Sequence, residues 1–196
     1  MVTIGYSYPY IAKYDGSGGQ DKYTGGMDFG EGVGYSDSIE VSESNDFYAN
    51  NKISESDTGK FVSGEATITI NGITPEAAKM VFGITETTEV ETTTWLKYND
   101  DTKSPELGYG HVKKTRENGQ DKYWGFVLPR VALSIPSEKL ETQQEKINWQ
   151  TQEVKATILR SLNGKHDWKA VSETSFNTET EAYEAVKAFL SQNGGA

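Results

Sequence analysis

The chain contains no cysteine, which excludes a structural disulfide, a thiolate metal site and a cysteine nucleophile. It has only two histidines, His111 and His166, so a catalytic site centred on histidine is poorly supplied. No apolar run approaches the length of a membrane span, and residues 1–8 lack the charged and apolar regions of a signal peptide. We therefore expect a soluble protein that is made in a cytoplasm and has no membrane partner.

An excess of basic residues is also missing. The net charge is −10, which argues against a nucleic-acid-binding surface of the usual basic kind. A chain of 196 residues can bury a full core, and its twenty glycines and eleven tyrosines favour strands joined by turns. We predict one mainly β domain over residues 1–196, a sandwich or barrel of antiparallel strands with one short internal helix and a C-terminal helix.

Residues 106–134 are the most strongly specified stretch. Asn118-Gly119 suits a two-residue turn of type I′, which joins antiparallel strands with matching twist. The turn fixes a register in which the opposed pairs are Glu117–Gln120, Arg116–Asp121, Lys113–Trp124, His111–Phe126 and Tyr109–Leu128. Alternation then places Tyr109, His111, Trp124, Phe126 and Leu128 on one side, and Gly108, Gly110, Val112, Gly125, Val127 and Pro129 on the other. So large an aromatic face must be buried, which predicts a central hairpin.

Residues 61–70 have the pattern of an amphipathic strand. One face carries Val62, Gly64, Ala66, Ile68 and Ile70, and the other carries Ser63, Glu65, Thr67 and Thr69. A short helix is predicted to follow, with Thr74 as its N-cap, Pro75 at its first position and Gly83 as its stop. A second helix is predicted over about 178–192, where Thr178 and Glu181 have capping-box spacing. Its apolar stripe consists of Ala182, Tyr183, Val186, Phe189 and Leu190.

The other strands carry weaker signals. Residues 4–14 alternate, and this places Ile4, Tyr6, Tyr8, Tyr10, Ala12 and Tyr14 on one face. The glycine-rich stretch that follows predicts no firm strand before a short one at 38–43. Residues 44–60 are polar and predict a long loop projecting from a hairpin. Further strands are expected at 95–98, at 149–160 with Val154, Ala156 and Ile158 inward, and at 165–172.

No pattern of residues indicates catalysis. Glu86, Glu89, Glu91 and the pair Asp100-Asp101 lie in polar stretches, where solvated surface explains them better than a carboxylate pair. Asp15, Ser17 and Asp21 offer oxygen atoms among glycines, but the spacing of a calcium loop is absent. We therefore expect no enzyme, no cofactor and no metal.

Two surface features have alternative interpretations. The tyrosines at positions 6, 8, 10 and 14 are consistent either with a carbohydrate-stacking platform or with a core edge or subunit interface, and we favour the latter. The cations Lys113, Lys114, Arg116 and Lys122 cluster near the tip of the central hairpin. They suit a phosphate-binding spot or, more plausibly in so acidic a chain, an acidic neighbour.

The order of these elements resembles that of the major tail proteins, or tail tube proteins, of long-tailed bacteriophages, especially phages of Gram-positive bacteria. The phrase Asp-Phe-Tyr-Ala-Asn-Asn at 46–51 is similar to the family's apolar-Tyr-Ala-Asp-Asp signature, with Asn50 and Asn51 in place of the acids. The segment 123–130, Tyr-Trp-Gly-Phe-Val-Leu-Pro-Arg, resembles its long strand. The resemblance covers nearly the whole chain, although its motifs are short.

The resemblance implies a structural protein of the virion, made in the host cytoplasm. Copies of the chain would form homohexameric rings that stack into a hollow tube, beside partners such as the tape measure and tail terminator proteins. Phage DNA would pass through during ejection without specific binding, which the acidic balance suits. The candidate inter-subunit contacts are Phe47, Tyr48, Asn50 and Asn51. The candidate lumen-facing residues are Ser63, Glu65, Thr67 and Thr69. The rival from another class is a carbohydrate-binding β-sandwich that uses the tyrosine row.

Overall fold

The computed structural model describes residues 1–43, 45–49, 52–57, 59–138, 141–142 and 150–192, and it leaves the side chains of 45–49 and 52–57 undescribed. The described part is mainly β, with one short internal helix and one C-terminal helix, as predicted. The strands are β1 Val2–Asp15, β2 Lys22–Asp28, β3 Gly32–Val41, β4 Asn45–Ala49, β5 Lys52–Asp57, β6 Phe61–Ile70, β7 Thr87–Val90, β8 Thr93–Leu96, β9 Glu106–Glu117, β10 Gln120–Leu133, β11 Gln152–Leu159 and β12 Ala170–Val171. The helices are α1 Pro75–Phe82 and α2 Glu179–Phe189.

Eight strands form one antiparallel sheet in the order β2-β1-β9-β10-β11-β6-β3, with β12 paired to β10. The sheet curls, so that Tyr35 near one end stacks on Tyr6 of β1, with ring centroids 6.1 Å apart. No ladder joins β1 to β3 in the described residues, so the curl is an open barrel. Two further pairs, β4–β5 and β7–β8, form separate two-stranded ribbons.

The central hairpin has the predicted register at all five predicted pairs. Asn118 and Gly119 take φ of 49° and 78°, as a type I′ turn requires. The aromatic face turns into the curl, where Tyr109, Phe126 and Leu128 join the main core cluster. The glycine face lies under α2, and a second cluster forms there around Val186 and Leu190. The hairpin is central because it is buried on both faces.

Both helices begin where their caps were predicted. The Thr74 side chain accepts from the Ala77 N–H, and Gly83 ends α1 in the left-handed conformation. Thr178 and Glu181 form the predicted capping box. Helix α2 ends at Phe189, short of the predicted 192, because the chain beyond it turns and the Gln192 carbonyl accepts from the Tyr23 N–H of β2. A tertiary hydrogen bond thus replaces the last helical turn.

The tyrosines of β1 do not share one face, contrary to the prediction. A bulge between Ser7 and Tyr10, with Tyr8 at φ 51°, inserts one residue against β9. An extra residue reverses the facing of everything beyond it. Tyr6 therefore points into the curl, while Tyr10 joins the cluster under α2.

Strand β2 and the first half of β3 were missed because their glycines predict turns. Two of these glycines instead make room for the tyrosines of β1. A Cβ on Gly32 would lie 2.5 Å from the Tyr6 ring, and one on Gly26 would overlap the Tyr10 hydroxyl. Glycine therefore marks close packing inside paired strands at these two positions.

The connection between β3 and β6 was predicted as a long loop over 44–60. Its described backbone is more regular, because β4 and β5 pair as an antiparallel ribbon. This ribbon extends a true hairpin, since β3 and β6 are themselves antiparallel neighbours. Alternating residues such as Phe47 and Ile53 within the polar stretch are the signal that the sequence interpretation overlooked.

Strand β6 alternates as predicted from Ser63 to Ile70. Val62 is the exception, because it is exposed although it was assigned to the core face. A register shift against β3 at Glu40–Val41 turns Phe61 inward instead. In β11, Val154, Ala156 and Ile158 are buried as expected.

Candidate functional site

The candidate site is the outer, polar face of three neighbouring strands. On β6, Ser63, Glu65, Thr67 and Thr69 point away from the core, as predicted. The paired residues continue this face onto β3 and β11: Glu65 lies opposite Ser38 on one side and Thr157 on the other. The polar face, as named from here on, comprises Ser36, Ser38, Glu40, Ser63, Glu65, Thr67, Thr69, Glu153, Lys155 and Thr157.

The polar face is regular and mostly exposed. Thr67 and Thr69 are half-buried between their neighbours, and the other side chains are exposed. It carries three carboxylates and one lysine, and among the described residues none of these four takes part in an ion pair. The Ser63 hydroxyl donates to Glu40 at 2.7 Å across the strands. The result is a hydroxyl-rich surface with a mild negative charge.

The sequence interpretation found only the central strand of this face. The alternation of Glu153, Lys155 and Thr157 against three buried residues was a readable signal on β11. On β3 the signal was weaker, because Ser38 and Glu40 follow a glycine-rich start. Sequence alternation shows that side chains share a face, but not that three such strands are neighbours.

Strand β3 is an edge of the sheet. Its ten residues contain no proline and no lysine, the residues that commonly block edge pairing. Val33 and Val41 are 56% and 59% exposed along it. Within the described residues, nothing pairs with its outer side. The polar face therefore ends at a strand whose outer side has no ladder partner in this part of the chain, although β1 packs against its first half through Tyr6.

The predicted inter-subunit residues lie largely outside the described part of the chain. Phe47 and Tyr48 belong to the backbone of β4, but their side chains are not described. Asn50 and Asn51 lie outside the described residues. Their assignment as contacts remains a prediction.

His111 is buried at the centre of the aromatic face, with 3% of its surface exposed. Its ring stacks on Phe126 at 4.4 Å and lies 4.5 Å from the ring of Tyr35. Burial, reinforced by Lys113 and Lys169, lowers its pKa to about 3. Its Nδ1 has no hydrogen-bond partner among the described residues. His111 is thus a neutral core residue, as expected from its place on the aromatic face that the sequence predicts to be buried.

Of the tyrosines around His111, Tyr109 is fully buried, and Tyr6 and Tyr35 are partly buried. The Tyr6 and Tyr109 hydroxyls are hydrogen-bonded at 2.9 Å. Burial raises the pKa of Tyr6 to about 12 and raises that of Tyr35 and Tyr109 further. These rings close the gap between β1 and β3 by packing, where no ladder does so.

The two acidic candidates for a calcium loop do not converge. The Asp15 carboxylate accepts from the backbone and hydroxyl of Ser17, which lowers its pKa. Asp21 accepts instead from Tyr14, Ser161 and Asn163. In the described part of the chain, no group of three acidic or histidine side chains is placed to hold a metal ion.

The basic cluster is divided between the two faces of the hairpin tip. Lys114 and Arg116 both pair with Asp121, at 2.8 and 2.6 Å, and hold the pKa of that carboxyl down at about 2. Lys113 and Lys122 lie on the other face, and Lys122 donates to Asn177. The candidate carboxylates Glu86, Glu89 and Glu91 are exposed, far along the chain from these cations.

No family model matches this chain, and no curated protein matches it either. Over the residues that the structure describes, neither helix has the length and apolar character needed to cross a bilayer.

Proposed function

We propose that this protein is the structural subunit of a bacteriophage tail tube, assembling into stacked hexameric rings. The observation that supports this best is the polar face that ends at β3, a strand with no ladder partner on its outer side among the described residues. A subunit that lines a conduit needs a regular polar surface, and one that joins its sheet to a neighbour needs an unpaired strand. Both features belong to one sheet and meet on β3.

The electrostatics agree with a passage for DNA. A wall that carries Glu40, Glu65 and Glu153 repels phosphate, so it does not retain the genome that passes it. The hydroxyls of Ser63, Thr67 and Thr69 make the wall hydrophilic without adding positive charge. The protein acts in this proposal by shape and charge alone.

The rival proposal, a carbohydrate-binding module, used a continuous row of tyrosines. The bulge in β1 splits that row, and Tyr6 and Tyr10 are largely covered. Tyr8 is 47% exposed and stacks on Tyr183 at 4.8 Å, so it has a protein partner on one side.

Negative-stain electron microscopy of the purified protein over a range of concentrations tests the proposal. Rings or tubes with six-fold symmetry at high concentration are expected. A monomer at every concentration that is retained by glycan columns would favour the rival. Sedimentation velocity on the same samples separates specific particles from amorphous aggregate.

A further inference from the structure

The β7–β8 ribbon stands apart from the main sheet and presents an unusual surface. We call residues 86–98 the acidic arm. One face, with Leu96, packs on the main core, and the Tyr98 ring lies 6.4 Å from that of Phe82. The opposite face carries Val90 and Trp95, which are 55% and 58% exposed. A ribbon with four-residue strands is marginal alone, and within the described residues nothing covers its tryptophan.

The arm is also charged. Glu86, Glu89 and Glu91 are exposed and none takes part in an ion pair within the described residues. Lys97 is the arm's one cation. In the register of the ribbon, Glu86 and Lys97 lie on the face of Trp95, Glu89 lies on the face of Leu96, and Glu91 lies in the turn at the end of the arm. An exposed tryptophan with a carboxylate at each end of its face has the composition of an interface anchor with a polar rim.

The complementary surface lies on the same chain. Residues 113–122, the basic tip, carry four cations against two carboxylates in a chain of net charge −10. On one face of the tip, Asp121 forms ion pairs with Lys114 and Arg116. On the other face, Lys113 and Lys122 have no carboxylate partner in the described part of the chain.

The arm and the tip lie at opposite ends of one strand. The arm begins just after Gly83, where an added Cβ would overlap the Lys103 carbonyl, shortly before the start of β9. The tip is the far end of β9, twelve residues along. At the rise of an antiparallel strand this separates them by about 37 Å, so they cannot meet within one subunit. Complementary surfaces at two ends of a subunit form a head-to-tail contact.

We propose that the acidic arm of one copy docks on the basic tip of the next. Glu91 at the turn of the arm faces Lys113 and Lys122, Glu89 adds negative charge from the other face of the ribbon, and the Trp95 ring is covered by the same ammonium groups and their stems. The contact rests on the proposed function in that it requires self-assembly, and it assigns the surfaces that join successive copies. It leaves the edge of β3 free for the lateral contact.

Paired charge reversals test the contact. The arm variant Glu89→Lys/Glu91→Lys has a basic arm and a basic tip, and the tip variant Lys113→Glu/Lys122→Glu has an acidic arm and an acidic tip. Each alone repels itself head to tail, so the concentration for half-assembly rises by at least about tenfold. An equimolar mixture regains assembly, because each variant's arm now faces an opposite tip. Sedimentation velocity and electron microscopy measure both results.

Controls carry the same charge change elsewhere: Glu138→Lys/Glu173→Lys, and Lys13→Glu/Lys165→Glu, all at exposed positions. These are expected to assemble like the parent. If the parent assembles and the arm and tip variants assemble equally well, the contact is wrong and the tube proposal stands. Variants that fail singly and also fail as a mixture contradict the pairing. A parent that never assembles overturns both proposals.

Discussion

At the scale of single residues, His111 makes the free energy of unfolding depend on pH. Its pKa in the folded chain is about 3, so it stays neutral until the pH approaches that value, whereas the pKa of a histidine in the unfolded chain is near 6.5. Its contribution to stability is therefore complete above about pH 6.5 and is lost as the pH falls from there towards 3. We predict that the free energy of unfolding is about 2 kcal/mol lower at pH 5 than at pH 8.

Two variants isolate that effect in urea titrations at the two pH values. His111→Phe keeps a ring against Phe126 and removes the titrating group, so most of the loss between pH 8 and pH 5 should disappear. His166→Asn is the matched control, since Asn tolerates the φ of 58° at that exposed position. It should keep the full loss. A His111→Phe protein as acid-sensitive as the parent would refute the assignment.

A substitution of Glu65 tests the proposal of a conduit most directly at the scale of a single residue. Its side chain points away from the core between Ser38 and Thr157, so Glu65→Lys should change the free energy of unfolding by less than about 0.5 kcal/mol. Six lysines around a bore would hold phosphate, and we predict slower DNA ejection that recovers as salt rises. Glu173→Lys makes the same charge change away from the polar face. Normal ejection by a Glu65→Lys phage at low salt would contradict the lumen assignment.

At the scale of elements, the docking of α2 depends on glycines in the central hairpin. A Cβ on Gly110 would lie 2.5 Å from a methyl of Val186 and 3.1 Å from the Phe126 carbonyl. Overpacking of this kind costs about 1–3 kcal/mol, which we predict for Gly110→Ala in urea unfolding. Gly72→Ala, with no heavy atom within 4 Å of the added Cβ, should be nearly neutral. Equal stability of the two variants would show that α2 does not need this contact.

The elements that the sequence specifies locally were predicted well. The hairpin register followed from the two residues Asn118-Gly119, and each helix start followed from a capping threonine and its neighbours. The bulge at Tyr8 was missed although Pro9 beside it and the apolar Ile11 interrupt the alternation of residues 4–14, because the position of the extra residue is set by pairing with β9. The glycines of β2 and β3 led to a wrong prediction of turns, since they are needed to make room for tyrosines of another strand, which the local sequence does not show.

For the candidate site too, one part was predictable from the local sequence and another part was not. Alternation along β6 was enough to separate Glu65 from Ile68, and this separation is confirmed. That β3 and β11 extend the polar face depends on the order of strands in the sheet, which one-dimensional patterns do not fix. The role of the face, as opposed to its existence, remains the proposal made above.

At the scale of the whole molecule, the proposals assign three different surfaces to assembly. The polar face lines a bore, the edge of β3 joins neighbours within a ring, and the acidic arm meets a basic tip between successive copies. The polar face and the edge share β3, whereas the arm and the tip lie elsewhere on the chain, so the contact between arm and tip can fail without the other two. The claim common to them is that the protein assembles around an open channel.

Electron cryomicroscopy of the assembled protein measures that claim most directly. The account predicts six copies around a hollow bore, with Ser63, Glu65, Thr67 and Thr69 at its wall and β3 paired across the subunit boundary. A particle without an open axis, or a ring in which the polar face points outward to solvent, would contradict it.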